Sequence, residues 1–310
     1  MTGEARVVLV TGKGGVGKTT VVASLGMAGA RRGMRVLLAE TAGARQLPPI
    51  FGVESQGYTP VELWRDSASG GVVEGLTITP GESIEEYLLL RLRFRALYRL
   101  AFQNRVMEPF MAAVPGLHDL MHLGKIWYEE AKVLPNGRPG WDLLIVDLPA
   151  TGHGLAMLQS PRSMMELTKA GPFHDNAAKI EELFGDPQRC ALVLVSRPEA
   201  FSVNETIQLH TGLDRYRDHV QAVIINQVRT APVADARHWE KAKTQLSDPW
   251  LAEAVELTDR AMQRTSRQAD AEERLAEGVG MAPLSLPYLP RFQLGTQELR
   301  ALSEPLGTLL

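Results

Sequence analysis

The sequence predicts an α/β protein built on a doubly wound, mainly parallel sheet with a helical insertion, and three observations predict it. The first is a series of short apolar runs at Val7–Thr11, Val36–Glu40, Leu76–Thr79, Leu143–Asp147, Ala191–Ser196, Ala222–Asn226 and Leu284–Leu286. Continuous apolar runs of this kind suit a sheet covered by helices on both faces. The second is the loop Gly12-Lys13-Gly14-Gly15-Val16-Gly17-Lys18-Thr19-Thr20, placed directly after the first run. Strand, glycine-rich loop and helix in that order make a phosphate cradle. The third is helical patterning between the runs, with ends that can be read from the residues.

Taken in order, the helix after the loop starts at Gly17 and stops near Gly33, a glycine stop. Ser83 and Glu86 have the spacing of a capping box and open a long helix, with Tyr87, Leu90, Phe94, Leu97 and Ala101 on one face and Arg91, Arg95 and Arg99 on another. Shorter patterns follow at Val106–Ala113 and His118–Val133. Residues 83 to about 134 therefore read as a helical subdomain inserted between two strands of one domain spanning 1–310. Ser160-Pro161 and Asp248-Pro249 each read as an N-cap followed by proline at the first helical position, the second opening a helix to about Glu277-Gly278.

Bulk properties narrow the function. The chain has 310 residues, 45% of them hydrophobic, and a formal net charge of −3. That size suits a single large α/β unit, and that charge is not the footprint of a general nucleic-acid binder. Cys190 is the only cysteine and lies in an apolar strand run. One chain therefore supplies no disulfide framework and no multi-cysteine zinc or iron–sulfur site. No stretch of about eighteen uncharged apolar residues exists to span a bilayer, and Met1–Arg6 has no signal-peptide apolar region. A cytoplasmic protein without stable membrane insertion is expected.

The chemistry concentrates on the loop and on one strand end. Backbone N–H groups of Gly12, Lys13, Gly14, Gly15, Val16 and Gly17 can turn inward around phosphate oxygens. Lys18 neutralises the β- and γ-phosphates, the Thr19 hydroxyl can ligate Mg²⁺, and Thr20 continues the helix start. Asp147 ends a buried strand at the edge where open α/β sheets bind ligands, and so can hold Mg²⁺ with Thr19. The glycine-rich run Leu148–Gly154 suits a switch that senses the γ-phosphate.

These residues together resemble a known family. The loop, the Val146-Asp147-Leu148-Pro149-Ala150-Thr151-Gly152-His153-Gly154 segment and Ile224-Ile225-Asn226-Gln227 are similar to the ArsA/Get family of deviant-Walker ATPases, on the SIMIBI branch of P-loop NTPases. The bacterial anion-transporting branch shares further stretches, here Pro115–Asp119, Gly124–Ile126 and Lys169–His174. The resemblance implies ATP and Mg²⁺ as ligands, an ATPase activity and a dimer. It makes Lys13 a lysine that points away from its own phosphates and reaches across the dimer interface to the partner's nucleotide. It assigns Asn226 to the adenine edge, which an amide's donor and acceptor can pair.

The sequence also departs from the family. An aspartate that orients the attacking water usually follows the second strand, in a D-P-A motif. Here the run is Leu38-Ala39-Glu40-Thr41-Ala42-Gly43-Ala44, with Ala42 at the expected position. Glu40 is a candidate to hold water near the metal instead. Losing such a carboxylate removes about 10²–10⁴-fold, so slow or partner-dependent hydrolysis is expected. The cysteine cluster of arsenite pumps and the paired C-x-x-C zinc site of the eukaryotic targeting ATPases are both absent.

An apolar helical client, such as a membrane-protein segment, is the partner that the targeting branch implies. Met107, Met111, Met121, Met157, Met164 and Met165 would either line a groove for it or fill the core. His118, His122, His153 and His174 read as solvated or capping residues rather than a metal set. Two alternatives stand beside a homodimeric ATPase. One is a nucleotide-binding subunit of a heterodimer with a paralogous ATPase, with little activity of its own. The other is a ParA/MinD-like positioning ATPase, which the Thr296–Leu310 tail disfavours: it holds one arginine, Arg300, and Pro305 interrupts it.

Overall fold

The computed structural model describes residues 6–41, 46–92, 114, 116–233, 235–246, 248–290 and 294–310, and of residues 87–92 the backbone alone. The strands are β1 (Val7–Gly12), β2 (Arg35–Glu40), β3 (Val61–Arg65), β4 (Val72–Thr77), β5 (Leu143–Asp147), β6 (Cys190–Ser196), β7 (Val220–Val228) and β8 (Leu284–Pro287). They form one sheet in the order β3-β4-β2-β5-β1-β6-β7-β8. Every neighbouring pair is parallel except β3 with β4. The chain winds to one side of β1 and then to the other, so a topological switch point falls at the C-terminal end of β1.

The helices are α1 (Lys18–Ala30), α2 (Leu47–Phe51), α3 (Pro80–Leu92), α4 (Leu117–Glu130), α5 (Thr151–Leu167), α6 (Pro172–Phe184), α7 (Ala200–Gly212), α8 (Ala236–Lys243), α9 (Ala252–Val279) and α10 (Thr296–Gly307). Strand side chains alternate between the two faces, and each face has its own core. Val8 and Val10 pack with Val21 of α1, Leu47 of α2 and Leu299 of α10. Val7 and Leu9 pack on the opposite side with Leu120 of α4, Met157 of α5, Ile180 of α6, Val203 of α7 and Leu275 of α9. Cys190 is buried among them. Met121, Met157 and Met164 are buried in this second core and Met165 packs against it. Met157, Met164 and Met165 fill the space between helices and sheet, whereas Met121, though buried, also borders a cavity between α3, α4 and α6.

Several element boundaries differ from expectation. Edge strand β3 is short and mostly exposed, and Glu62 breaks its apolar residues so that no continuous run marks it. β4 begins at Val72, four residues before the apolar run, because Glu74 and Gly75 interrupt the pattern while the pairing with β2 continues. α3 begins at Pro80, and Thr79 with Glu82, one turn earlier, caps its start. Thr79 Oγ1 donates to Glu82 Oε2 at 2.6 Å and accepts from the Glu82 N–H at 3.4 Å. Ser83 instead donates to the Thr79 carbonyl, and Glu86 accepts from Tyr58 Oη at 2.6 Å.

Pro161 does not open a helix but sits inside α5, which begins at Thr151. The apolar face carried by Met157, Leu158 and Met164 runs through the proline, and tertiary burial outweighs the lost backbone bond. The Tyr216 hydroxyl donates to the Leu158 carbonyl in that turn. Asp248-Pro249 opens a single 3₁₀ turn that leads into α9, and Gly280 ends α9 in the left-handed region. The expected pattern at 106–113, the face residues Phe94, Leu97 and Ala101, the arginines at 95 and 99, Met107, Met111 and Ala42–Ala44 lie outside the described residues. Among those described, no helix is long and apolar enough to cross a membrane.

Candidate functional site

Parallel register brings the chemical residues to one edge. Val10 of β1 and Glu40 of β2 are both register partners of Asp147. The loop leaving β1, the acid ending β2 and the acid ending β5 therefore meet at the C-terminal edge. Thr19 Oγ1 donates to Asp147 Oδ2 at 2.6 Å. Lys18 curls back over its own loop, donating to the Gly12 and Lys13 carbonyls at 3.2 Å each. These side chains line one cavity with Gly15, Gly17, Thr20 and Pro149.

Glycine is required at two loop positions. A Cβ on Gly12, which has φ of 154°, would stand 2.1 Å from the Val195 carbonyl oxygen of β6. Gly17 has φ of 90°, and a Cβ there would meet Asn226 Nδ2 at 2.4 Å. The loop thus passes too close to β6 and β7 for any side chain at these positions. Gly15 and Gly17 border the cavity at the N-terminus of α1, where an anion is favoured.

Electrostatics at this edge are unbalanced. Asp147 is only 9% exposed. Burial pushes its carboxyl above the usual range, while the Thr19 hydrogen bond and the Lys18 charge pull it down. Burial likewise pushes the Lys18 ammonium down, against the attraction of Asp147. A buried hydroxyl–carboxylate pair is a hard oxygen donor set of the kind Mg²⁺ takes. A lysine and a helix N-terminus beside it match phosphate oxygens. The residues present therefore fit a nucleoside polyphosphate with Mg²⁺.

Glu40 is placed differently from a free water-holding acid. One carboxylate oxygen accepts from the Gln46 and Leu47 N–H groups at 2.7 and 3.2 Å, at the start of α2. The other accepts from Gln56 Nε2. Its carboxyl is raised, chiefly by burial, with these hydrogen bonds opposing. Both oxygens are engaged in fastening the chain after β2, although the residue also borders the cavity.

Asn226 is buried at the end of β7. Its Nδ2 donates to the Val16 carbonyl at 2.9 Å, and its Oδ1 accepts from the Gln227 N–H at 2.9 Å. It thereby ties β7 to the phosphate loop, and it walls a second groove with Thr20, Gln227, Pro287 and Tyr288. Lys13 points out of the cradle. Its Nζ stands 3.2 Å over the Phe201 ring of α7 and 3.8 Å from Glu205 Oε2.

Three participants escape sequence reasoning. Gln46 reaches Thr19 Oγ1 at 3.1 Å from the loop after β2. Gln227 holds φ of 65°, uncommon for a residue with a side chain. Asp119 of α4 is 3.1 Å from His153 Nε2 at the start of α5. Asp119 and Gln227 carried only the family signal, as the last residues of the Pro115–Asp119 and Ile224–Gln227 stretches, and Gln46 carried none. His122, one turn along α4, is buried with neither ring nitrogen hydrogen-bonded, so it is not the solvated residue expected. Burial pushes its imidazole down to about 4.

A parallel α/β sheet with a phosphate loop at its switch point and a carboxylate on the neighbouring strand defines the P-loop nucleotide-binding class. Comparison with known proteins narrows it: the chain matches the family described as anion-transporting ATPase over residues 5–171 and 166–257, and it belongs to that family. It is similar to ATPase BagA of Mycobacterium tuberculosis, 31% identical over 228 residues, which cover 72% of this chain and 65% of that one. It is also similar to ATPase GET3 of Phaeosphaeria nodorum, at 24% over 296 residues, 82% of this chain and 86% of that one. ATPase GET3 of Mycosarcoma maydis matches at 25% over 283 residues, 80% of each chain. The chain thus spans slightly less than two thirds of the mycobacterial relative's length.

Proposed function

We propose that the protein is a cytoplasmic ATPase that binds ATP with Mg²⁺ in the Gly12–Thr20 loop, hydrolyses it slowly, and pairs with a second subunit. The observation that carries this reading is the Thr19–Asp147 contact of 2.6 Å at the mouth of a glycine cradle holding Lys18. Bound Mg²⁺ would neutralise phosphate charge there. Thr19 and Asp147 would hold it, Lys18 would leave its loop carbonyls for the β/γ-phosphates, and the loop amides would orient the chain of phosphates. Lys13, aimed at α7 instead of its own cradle, would leave Phe201 and Glu205 to serve a partner's nucleotide. Asn226 would offer its remaining N–H and lone pair to the adenine edge.

The Leu148–Gly154 segment would act as the switch. The His153–Asp119 contact links it to α4, and Lys125 of α4 is bound to Glu86 of α3 at 3.0 Å. A γ-phosphate-dependent movement of α5 would therefore pull on the helical region, which would receive an apolar helical client as the GET3-type relatives suggest. A cavity lined by Tyr58, Met121, Trp127, Phe173 and Ile180 between α3, α4 and α6 supports that use. Steady ATP turnover that collapses in Lys18→Ala and Lys13→Ala tests this reading; normal turnover in both variants refutes it.

A second reading has its own support. No aspartate stands in residues 38–44, and both Glu40 oxygens already accept hydrogen bonds that fasten the chain, so the usual water-orienting carboxylate has no unencumbered replacement there. On that ground the chain would be the weakly hydrolysing subunit of a heterodimer. Activity that appears only on mixing with a co-purifying paralogue would favour it, and robust turnover by the pure chain would exclude it.

A further inference from the structure

We propose that the overhanging half of α9 and the start of α7 form a docking cleft for an acidic amphipathic segment of a partner protein. α9 runs for 28 residues, yet its buried positions, Gln268, Ala271, Leu275 and Val279, all lie in its C-terminal half. The N-terminal half stands clear of the sheet. α8 braces it, through Trp239 Nε1 donating to Asp259 Oδ1 at 2.6 Å and Lys243 beside the same carboxylate.

The stripe occupied by Ala271 continues at three- and four-residue spacing through Arg267, Arg264 and Arg260 to Leu257. Leu257 is 58% exposed, and Trp250 in the turn before the helix is 78% exposed. A large apolar end and a run of guanidinium groups therefore share one overhanging edge. Beneath it, Arg264, Arg267 and Arg274 line a cleft whose floor is Pro198, Ala200 and Val203.

The charges in this cleft are not balanced from within. Among the described residues, none of these three arginines makes an ion pair or hydrogen bond, whereas Arg260 pairs with Glu256 and Arg197 with Glu199. Glu199 on the cleft wall is thus already taken, and Asp270 is the one lining carboxylate left for three guanidinium groups. Arginine forks match carboxylates bidentately, and the apolar floor and Leu257 need an apolar side chain between the acids.

The geometry selects a peptide over other anions. Arg264 and Arg274 are about 15 Å apart along the helix at its 1.5 Å rise per residue, too far for one phosphate to engage both. A nucleic-acid backbone or an anionic bilayer running along the whole arginine stripe would also meet Glu253 and Glu256 at its overhanging end. A flat bilayer, moreover, cannot enter a cleft between two helices.

The test is a fluorescent helical peptide with leucines on one face and glutamates on the other, titrated with the full chain and followed by anisotropy at low and high salt. Binding that weakens about tenfold or more (about 1.4 kcal/mol or more) in R264E/R267E and in Leu257→Asp supports the proposal, provided thermal midpoints stay at the wild-type value. A peptide with lysines in place of its glutamates should then bind R264E/R267E better than the original peptide does, a result that misfolding cannot produce. Equal affinity for wild type and variants overturns it. So does absence of peptide binding, or binding of duplex DNA or phosphatidylserine vesicles in its place.

Discussion

Asn226→Ala separates a residue that only reads a base from one that builds the loop. The side chain is buried and makes two hydrogen bonds to backbone, at 2.9 Å each, to the Val16 carbonyl and from the Gln227 N–H. Truncation strands one buried acceptor and one donor. A stranded, fully buried group costs about 1–3 kcal/mol; because the Gln227 N–H is only part-buried and so costs about 1 kcal/mol, about 2–4 kcal/mol should be lost. In a chain of this size each kcal/mol moves the thermal midpoint by about 2 °C, and the expected fall is therefore about 4–8 °C without nucleotide. Asn226→Asp keeps the acceptor for Gln227 but turns a carboxylate oxygen toward the Val16 carbonyl, so it should fall at least as far. Differential scanning calorimetry of the ligand-free variants makes the measurement. An unchanged midpoint in Asn226→Ala, with nucleotide affinity alone reduced, would refute the loop-anchoring role.

Three further outcomes are expected. His122 is held neutral in the core with its imidazole pushed down to about 4 from 6.5; the unfolded chain takes up that proton first, so stability is full above pH 6.5 and falls toward pH 4. The loss approaches about 3 kcal/mol, and urea midpoints of His122→Leu should show a shallower acid slope than wild type. Glu40 is raised in the folded chain, so its ionisation works against folding as pH climbs above its ordinary 4.5; the melting temperature of Glu40→Gln minus that of wild type should increase from pH 5 to pH 7.5, and a flat difference contradicts the burial argument. Phe201→Ala removes a cation–π contact of about 0.5–1 kcal/mol, freeing Lys13. Light scattering across an ATP series should then detect pairing at roughly two- to fivefold lower nucleotide.

Much of this was legible in the residues because local rules and tertiary demands agree there. The strands β1, β2, β5, β6 and β7 are continuous apolar runs, and burial on both faces leaves them no other pattern. The loop was readable because its glycines answer a steric need, the approach to Val195 and Asn226. Asp147 followed from its place at a strand end. What stayed hidden depends on partners distant in sequence. Edge strand β3 owes its pairing to β4 and carries little apolar signal of its own. The start of α3 was displaced by one turn because Thr79 and Ser83 both offer a hydroxyl three residues before a glutamate. Pro161 was misread because a helix packed on a sheet can absorb a proline that an isolated helix could not. The engagement of Glu40 by Gln46 and Gln56, and of Lys13 by Phe201 and Glu205, cannot be seen without the fold.

The most direct test of the nucleotide site is calorimetric titration of ATP into the wild-type chain and Asp147→Asn, with Mg²⁺ and with chelator. If Thr19 and Asp147 hold the metal that bridges the phosphates, wild type binds ATP more tightly with Mg²⁺, and the substitution abolishes that gain while leaving metal-free affinity in place. An identical Mg²⁺ gain in both proteins, or no ATP binding by wild type under either condition, would contradict the site described.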